Sequence, residues 1–128
     1  MVTIKTQQNL IEGTYLSSGP SKENFWILEG FLTDDVSSYS IPFYREFLND
    51  PNQIKTGGNY SVIEKEGDDV LIGCEFEPIL FEPCIQMPQK ELLSILDQWE
   101  ALVKLRPAEI IIFKKNDSYI LEGRNLVA

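Results

Sequence analysis

Two strand-like runs, Tyr60 to Glu66 and Asp69 to Glu77, lie on either side of the dipeptide Gly67-Asp68. Alternation with a period of two is typical of β-strands, and a Gly-Asp pair suits the tight turn of a β-hairpin. We therefore expect strands at 60–66 and 69–77, with Glu66 opposite Asp69. The residues of one face are then Ser61, Ile63, Lys65, Val70, Ile72, Cys74 and Phe76. Those of the other face are Tyr60, Val62, Glu64, Glu66, Asp69, Leu71, Gly73, Glu75 and Glu77. The pairing predicts one largely apolar face and one acidic face.

This hairpin and the residues after it carry most of the negative charge. Between residues 64 and 82, seven carboxylates accompany one base, Lys65, so these 19 residues contain minus six of a formal net charge of minus nine. The carboxylates are Glu64, Glu66, Asp68, Asp69, Glu75, Glu77 and Glu82. A dense field of one sign speeds encounter with an oppositely charged partner and contributes little to the fold. The same charge disfavours nucleic acid and anionic membranes as partners, because both are bound through protein cations.

The rest of the chain predicts two helices and several strands. The first helix covers about 40–49, with Ser40 as its N-cap and Pro42 in its first turn; the second covers about 88–105 and carries a continuous apolar stripe. Strands are expected at 10–16, 25–32 (a helix being the alternative), 81–86, 109–115 and 118–123. The last two form a hairpin across Asn116-Asp117 whose buried side includes Ile110, Ile112, Tyr119 and Leu121.

These elements mix an antiparallel β-sheet built from hairpins with two α-helices. A length of 128 residues is ordinary for one domain, and a hydrophobic fraction of 43% is far above that of disordered chains. The sequence therefore predicts a single α+β domain over residues 1–128 that folds without a cofactor.

The side chains that usually perform catalysis are scarce. The chain has no histidine, and its two cysteines, Cys74 and Cys84, therefore have no histidine to activate them. The glycines form neither a dinucleotide-binding fingerprint nor a phosphate-binding loop. Asp68, Asp69, Glu75 and Glu77 offer hard oxygen ligands but lack the spacing of a calcium loop. We expect no catalytic residues, no metal site and no small-molecule substrate, with a hydrolase that uses carboxylates and a divalent ion as a minor alternative.

The N-terminal residues show no charged leader followed by an apolar stretch, and no apolar run approaches the length of a membrane span. These features predict a cytoplasmic protein. A reducing compartment would keep both cysteines as thiols.

One part of the chain resembles a known class of proteins. The stretch Leu92-Leu93-Ser94-Ile95-Leu96-Asp97-Gln98-Trp99-Glu100-Ala101-Leu102-Val103, followed by Arg106-Pro107-Ala108-Glu109-Ile110-Ile111-Ile112, resembles the ending of small bacterial immunity proteins. Those proteins neutralise the toxic domains of contact-dependent growth inhibition and related polymorphic toxin systems. The resemblance implies a cytoplasmic protein that binds a cognate toxin one to one. Many such toxins are nucleases with positively charged substrate channels.

The acidic hairpin is the predicted interface with such a toxin. The expected partner-binding residues are Tyr60, Glu64, Glu66, Asp69, Glu75 and Glu77, with Asp34 and Asp35 as outlying candidates. Two alternatives remain open at this point. The chain is a small acidic adaptor that recognises a basic segment of a cellular protein, or the acidic face only keeps the sheet soluble.

Overall fold

The computed structural model describes residues 2–6, 15–17, 24–37 and 39–124. The helices of this part are α1 (Phe25–Gly30), α2 (Ile41–Asn49) and α3 (Gln89–Leu105), and a π-helical segment, Phe31–Asp35, continues α1. The strands are β1 (Val2–Thr6), β2 (Tyr15–Ser17), β3 (Lys55–Gly57), β4 (Ser61–Glu66), β5 (Asp69–Cys74), β6 (Cys84–Pro88), β7 (Glu109–Lys115) and β8 (Ser118–Arg124). None of the helices within these residues is long and apolar enough to cross a membrane.

The strands form two antiparallel sheets. The terminal sheet has the order β2-β1-β7-β8, and the central sheet has the order β3-β4-β5-β6. A single cluster of buried side chains contains residues of α1, α2 and α3 and of both sheets, so the two sheets share one hydrophobic core. The predicted α+β class is confirmed.

The two predicted helices are present. α2 and α3 begin and end within one residue of the expected positions, and Leu92, Ile95, Leu96 and Trp99 of the predicted stripe are buried. Ser40 precedes α2 but makes no side-chain capping bond to it. Its Oγ instead accepts a hydrogen bond from the Ser37 N–H (2.7 Å) and donates one to the Asp35 carbonyl oxygen (2.9 Å), which fixes the turn before the helix.

The strand predicted at 25–32 is wrong, since this segment forms α1 and the start of the π-helical segment. Its side chains are buried on nearly every side, in contact with β1, β5 and β6. An apolar run of this kind shows no period that separates a strand from a buried helix. The strand predicted at 10–16 is described only from Tyr15, the first residue of β2, because 10–14 lie outside the described residues; β1 was not predicted.

Both predicted hairpins are present, and their registers match the turns. Glu66 pairs with Asp69 across Gly67-Asp68, and Lys115 pairs with Ser118 across Asn116-Asp117. The four residues predicted for the buried side of β7 and β8 (Ile110, Ile112, Tyr119 and Leu121) are all buried. The second strand of the first hairpin, however, ends at Cys74 rather than Glu77.

The strand predicted at 81–86 is also shifted, because β6 covers Cys84–Pro88 and Phe81 lies before it. Phe81 has a left-handed backbone (φ 65°), a conformation that a strand residue does not adopt. Residues 75–83 therefore form an irregular segment, which we call the β5–β6 connection.

Candidate protein-binding site

The β5–β6 connection exposes an unusual set of large apolar side chains. Phe76 is 74% exposed, Ile79 60% and Leu80 40%. Exposed carboxylates of the same segment flank them, Glu75 before and Glu82 after, and residues 75–83 include no lysine or arginine. Single exposed apolar residues are ordinary on protein surfaces, whereas a contiguous group rimmed by charge is typical of a binding site.

Phe76 corrects the face assignment made from the sequence, which placed it on the apolar side of the hairpin. The cause is a contact between segments that are distant in the sequence. The Asp35 carboxylate accepts hydrogen bonds from the N–H groups of Asn59 (2.6 Å), Tyr60 (3.0 Å) and Ser61 (2.7 Å), so the chain before β4 turns toward Asp35. β5 then has no neighbouring strand to pair with beyond the bond from the Glu75 N–H to the Tyr60 carbonyl oxygen (2.8 Å).

The connection is packed onto the central sheet through Phe81. A Cβ atom added at Gly73 would lie 2.9 Å from Phe81 Cδ1 and 3.0 Å from the Phe81 backbone nitrogen, so only glycine permits this close approach. Gly73 is paired with Val62 and Cys84, and Gly73 and Val62 are both buried. This part of the sheet face, predicted to be acidic and open, is therefore covered by the connection.

The open part of the same face lies toward the hairpin turn. The register places Lys55, Glu64, Leu71 and Gln86 in one row and Glu66, Asp69 and Pro88 in the next, which we call the outer face. Lys55 stands directly opposite Glu64, a base that the sequence did not place there. The Asp69 carboxylate accepts a hydrogen bond from Gln86 Nε2 (2.9 Å). The outer face is thus acidic but less negative than the hairpin residues alone indicate.

The predicted contact residues therefore form two groups and not one. Tyr60, Glu75 and Glu77 lie at the open end of the hairpin, whereas Glu64, Glu66 and Asp69 lie on the outer face toward its turn. With a rise of about 3.3 Å per residue along a strand, the two ends are about 20 Å apart. Glu75 and Glu77 do not project together from a pleated strand, because β5 ends before both of them.

Tyr60 is half-buried, and its ring packs against the core. The ring lies against Gly30 in α1, and its centroid is 6.1 Å from that of Phe76. Burial raises the pKa of the Tyr60 phenol to about 12, and a hydrogen bond with the Cys74 thiol adds to the effect. Tyr60 thus supports Phe76 from behind and links the connection to the core.

The outlying candidates Asp34 and Asp35 also differ from each other in their surroundings. Asp35 is occupied by the three backbone N–H groups named above. Asp34 is exposed, and partial burial together with the charge of Asp35 raises the pKa of its carboxyl group. Of the two residues, Asp34 is the exposed one.

Two kinds of side chain bear on possible chemistry, the acids and the two cysteines. No group of three or more acidic or cysteine side chains within the described ranges is placed to hold a metal ion. Cys74 is on the inner side of the central sheet and Cys84 on the outer side, as their pairing with Ser61 and Gly73 indicates. Burial raises the pKa of the Cys84 thiol, and nearby Glu66 and Glu82 raise it further, which disfavours the reactive thiolate.

Sequence reasoning missed Ile79 and Leu80, and with them the apolar part of the site. A signal was available, since Pro78 and Pro83 bracket the apolar run 79–81. Proline lacks a backbone donor and is uncommon inside a central strand, so two prolines five residues apart favour a loop. Comparison of the chain with protein-family models, with curated proteins and with solved structures finds no match.

Proposed function

We propose that the protein is an immunity protein that binds a basic toxin domain one to one in the cytoplasm and covers its active site or substrate surface. The observation that carries the proposal is the β5–β6 connection, where Phe76, Ile79 and Leu80 are exposed between Glu75 and Glu82. A few well-packed residues near the centre of a protein interface supply most of its binding energy, and surrounding charges supply specificity and speed.

The C-terminal resemblance supports the same proposal. The residues that carry it fold as α3, a turn at Arg106-Pro107 and β7. An immunity protein needs no catalytic residue, because occlusion of a substrate channel is steric and electrostatic. A nuclease binds the phosphate groups of nucleic acid through lysine and arginine side chains. The carboxylates of this chain are suited to pair with those side chains in place of the phosphates.

The proposal is tested by co-expression with the products of the adjacent genes. The tagged protein is expected to co-purify in equal amounts with a basic product of a neighbouring gene, and that product alone is expected to arrest growth. Growth should recover when the present protein is supplied. Recovery of an unrelated housekeeping protein, with no toxic neighbour, would contradict the proposal and favour an adaptor that recognises a basic segment.

A further inference from the structure

We propose that the two groups of the site have different tasks: the β5–β6 connection inserts into an apolar recess that is rimmed by lysine or arginine on the partner, and the outer face only steers the approach. This inference rests on the proposed function and adds a division of labour within it. It also specifies the chemistry of the partner's surface.

We assign most of the binding energy to the connection because its apolar side chains are exposed to water and gain free energy when a partner buries them. Phe76 and Ile79 are each more than half exposed, and Leu80 is 40% exposed. Burial of such side chains contributes more to affinity than burial of acids does, since a carboxylate loses hydration when it is covered. The outer face offers Leu71 as its only large aliphatic side chain, and Leu71 is half-buried.

Backbone hydrogen bonds and the packing of Phe81 hold the connection on the central sheet. Its bonds include the one from the Glu75 N–H to the Tyr60 carbonyl oxygen (2.8 Å) and the one from the Glu82 N–H to the Ile79 carbonyl oxygen (3.2 Å). Phe81, in a left-handed conformation that a bulky residue rarely adopts, is packed against Gly73. A segment that is already ordered loses little conformational entropy on binding, so its apolar contacts are available for affinity.

Charge selects a basic partner over a second copy of this chain. Two copies that paired through the connection would bring Glu75 and Glu82 of one copy close to the same residues of the other, within a chain of net charge minus nine. Like charges at an interface oppose association. A protein recess with a basic rim satisfies both the apolar side chains and the carboxylates around them.

The outer face is assigned to steering because its acids lie beside the connection and not within it. Along β4, Glu64 and Glu66 are two and four residues beyond Val62, about 7 and 13 Å along the strand. Glu66 is exposed, and within the described residues no hydrogen bond or ion pair engages the carboxylates of Glu64 or Glu66. Charges at the rim of an interface act on the encounter rate more than on the lifetime of the complex.

The test measures association and dissociation rates separately, with the purified toxin domain encoded by the neighbouring gene as the probe. Phe76→Ala and the double variant Ile79→Ala/Leu80→Ala are expected to raise the dissociation rate about tenfold or more and to leave the association rate within about twofold. Leu105→Ala is the matched control, since Leu105 is 76% exposed at the end of α3. It should change neither rate.

The steering residues are tested with Glu64→Gln/Glu66→Gln, which is expected to lower the association rate about threefold to tenfold at low salt. Its control is Glu46→Gln/Glu122→Gln, which removes two exposed carboxylates outside the connection and the outer face.

The complex of the parent protein and those of the Phe76 and Ile79/Leu80 variants could dissociate at equal rates. That result would overturn this inference and leave the proposed function standing. No complex with the parent protein would overturn both. A parent protein that sediments as a dimer, and as a monomer after Phe76→Ala, would assign the connection to self-association and also overturn the inference.

Discussion

The hairpins β4–β5 and β7–β8 are built alike, and they differ in how their backbone edges are paired. β7–β8 lies at one side of the terminal sheet, with β8 at its edge. Side chains of α3 form hydrogen bonds with backbone groups of β8 that do not pair with β7. Gln98 donates from Nε2 to the Tyr119 carbonyl oxygen (3.0 Å) and accepts from the Leu121 N–H (2.9 Å). Glu91 accepts from the Tyr119 N–H (3.3 Å). The amide of Gln98 thus makes the two bonds that a further strand would make.

The hairpin β4–β5 lies between β3 and β6: β3 pairs with residues 62–64 of β4, and β6 pairs with residues 69–73 of β5. Within the described residues, no hydrogen bond or ion pair engages the side chains of Glu64, Glu66, Glu75, Glu77 or Glu82. The comparison distinguishes acids that accept hydrogen bonds from backbone N–H groups, such as Asp35 and Glu91, from the acids named above.

If the two kinds of acid differ in this way, the largest change in the free energy of unfolding is expected at Asp35. Asp35→Ala removes the acceptor of three backbone N–H groups and is expected to lower the free energy of unfolding by about 2–3 kcal/mol, since hydrogen bonds to a charged group are the stronger ones. Asp34→Ala, one residue earlier, should change it by less than about 0.5 kcal/mol, as is usual for an exposed side chain. Urea denaturation of the two variants is the measurement. Equal losses would show that proximity to β4, and not the hydrogen bonding of Asp35, determines stability.

A smaller loss is expected at the edge of the terminal sheet. Gln98→Ala removes both bonds from the amide to β8 and is expected to cost about 1–2 kcal/mol of unfolding free energy. Hydrogen exchange should also show faster exchange of the Leu121 amide. Lys90→Ala, at an exposed position of the same helix, is the control. A Gln98→Ala protein as stable as the Lys90 variant would mean that water replaces the amide without cost.

Much of the fold was readable from local chemistry. The turn pairs Gly67-Asp68 and Asn116-Asp117 set the registers of both hairpins, and the apolar stripe of α3 set its length. The segment 25–32 was misread because it is buried on nearly all sides, so its periodicity carries no information. Whether it becomes a helix is decided by the sheets that surround it.

The site was predicted only in part, for a reason of a different kind. Alternation along β4 and β5 correctly placed Glu64, Glu66 and Asp69 on one face. It failed at Phe76, because the end of β5 depends on Asp35, which is about 40 residues earlier in the chain and holds the backbone before β4. The packing of Phe81 against Gly73 is another contact that no local pattern encodes.

The outer-face acids allow a test with smaller shifts of opposite sign. Glu66 lies opposite Asp69, and Glu64 lies opposite Lys55. Glu66→Lys replaces a like-charge pair with an attractive one and is expected to stabilise the fold by about 0.2–0.5 kcal/mol, whereas Glu64→Lys should destabilise it by a similar amount. Both add the same charge, so both should slow association with a basic partner. Thermal melting measures the first effect, and shifts of the same sign in both variants would contradict the register-based account.

The smallest expected effect is the pH dependence that Asp34 contributes. Partial burial, and then the charge of Asp35, hold the pKa of the Asp34 carboxyl above its ordinary value of 3.8. A raised pKa means that the folded chain retains a proton that the unfolded chain has released, so this group lowers stability as pH rises from the ordinary value through the folded pKa. Asp34→Asn removes the loss. The variant should equal its parent in stability below the ordinary pKa and slightly exceed it at neutral pH, and the folded pKa should be visible in a carboxyl titration by NMR. Because solvent screens an exposed carboxylate, the gain is small, and a variant less stable than its parent at neutral pH would place Asp34 with Asp35 among the acids that the fold requires.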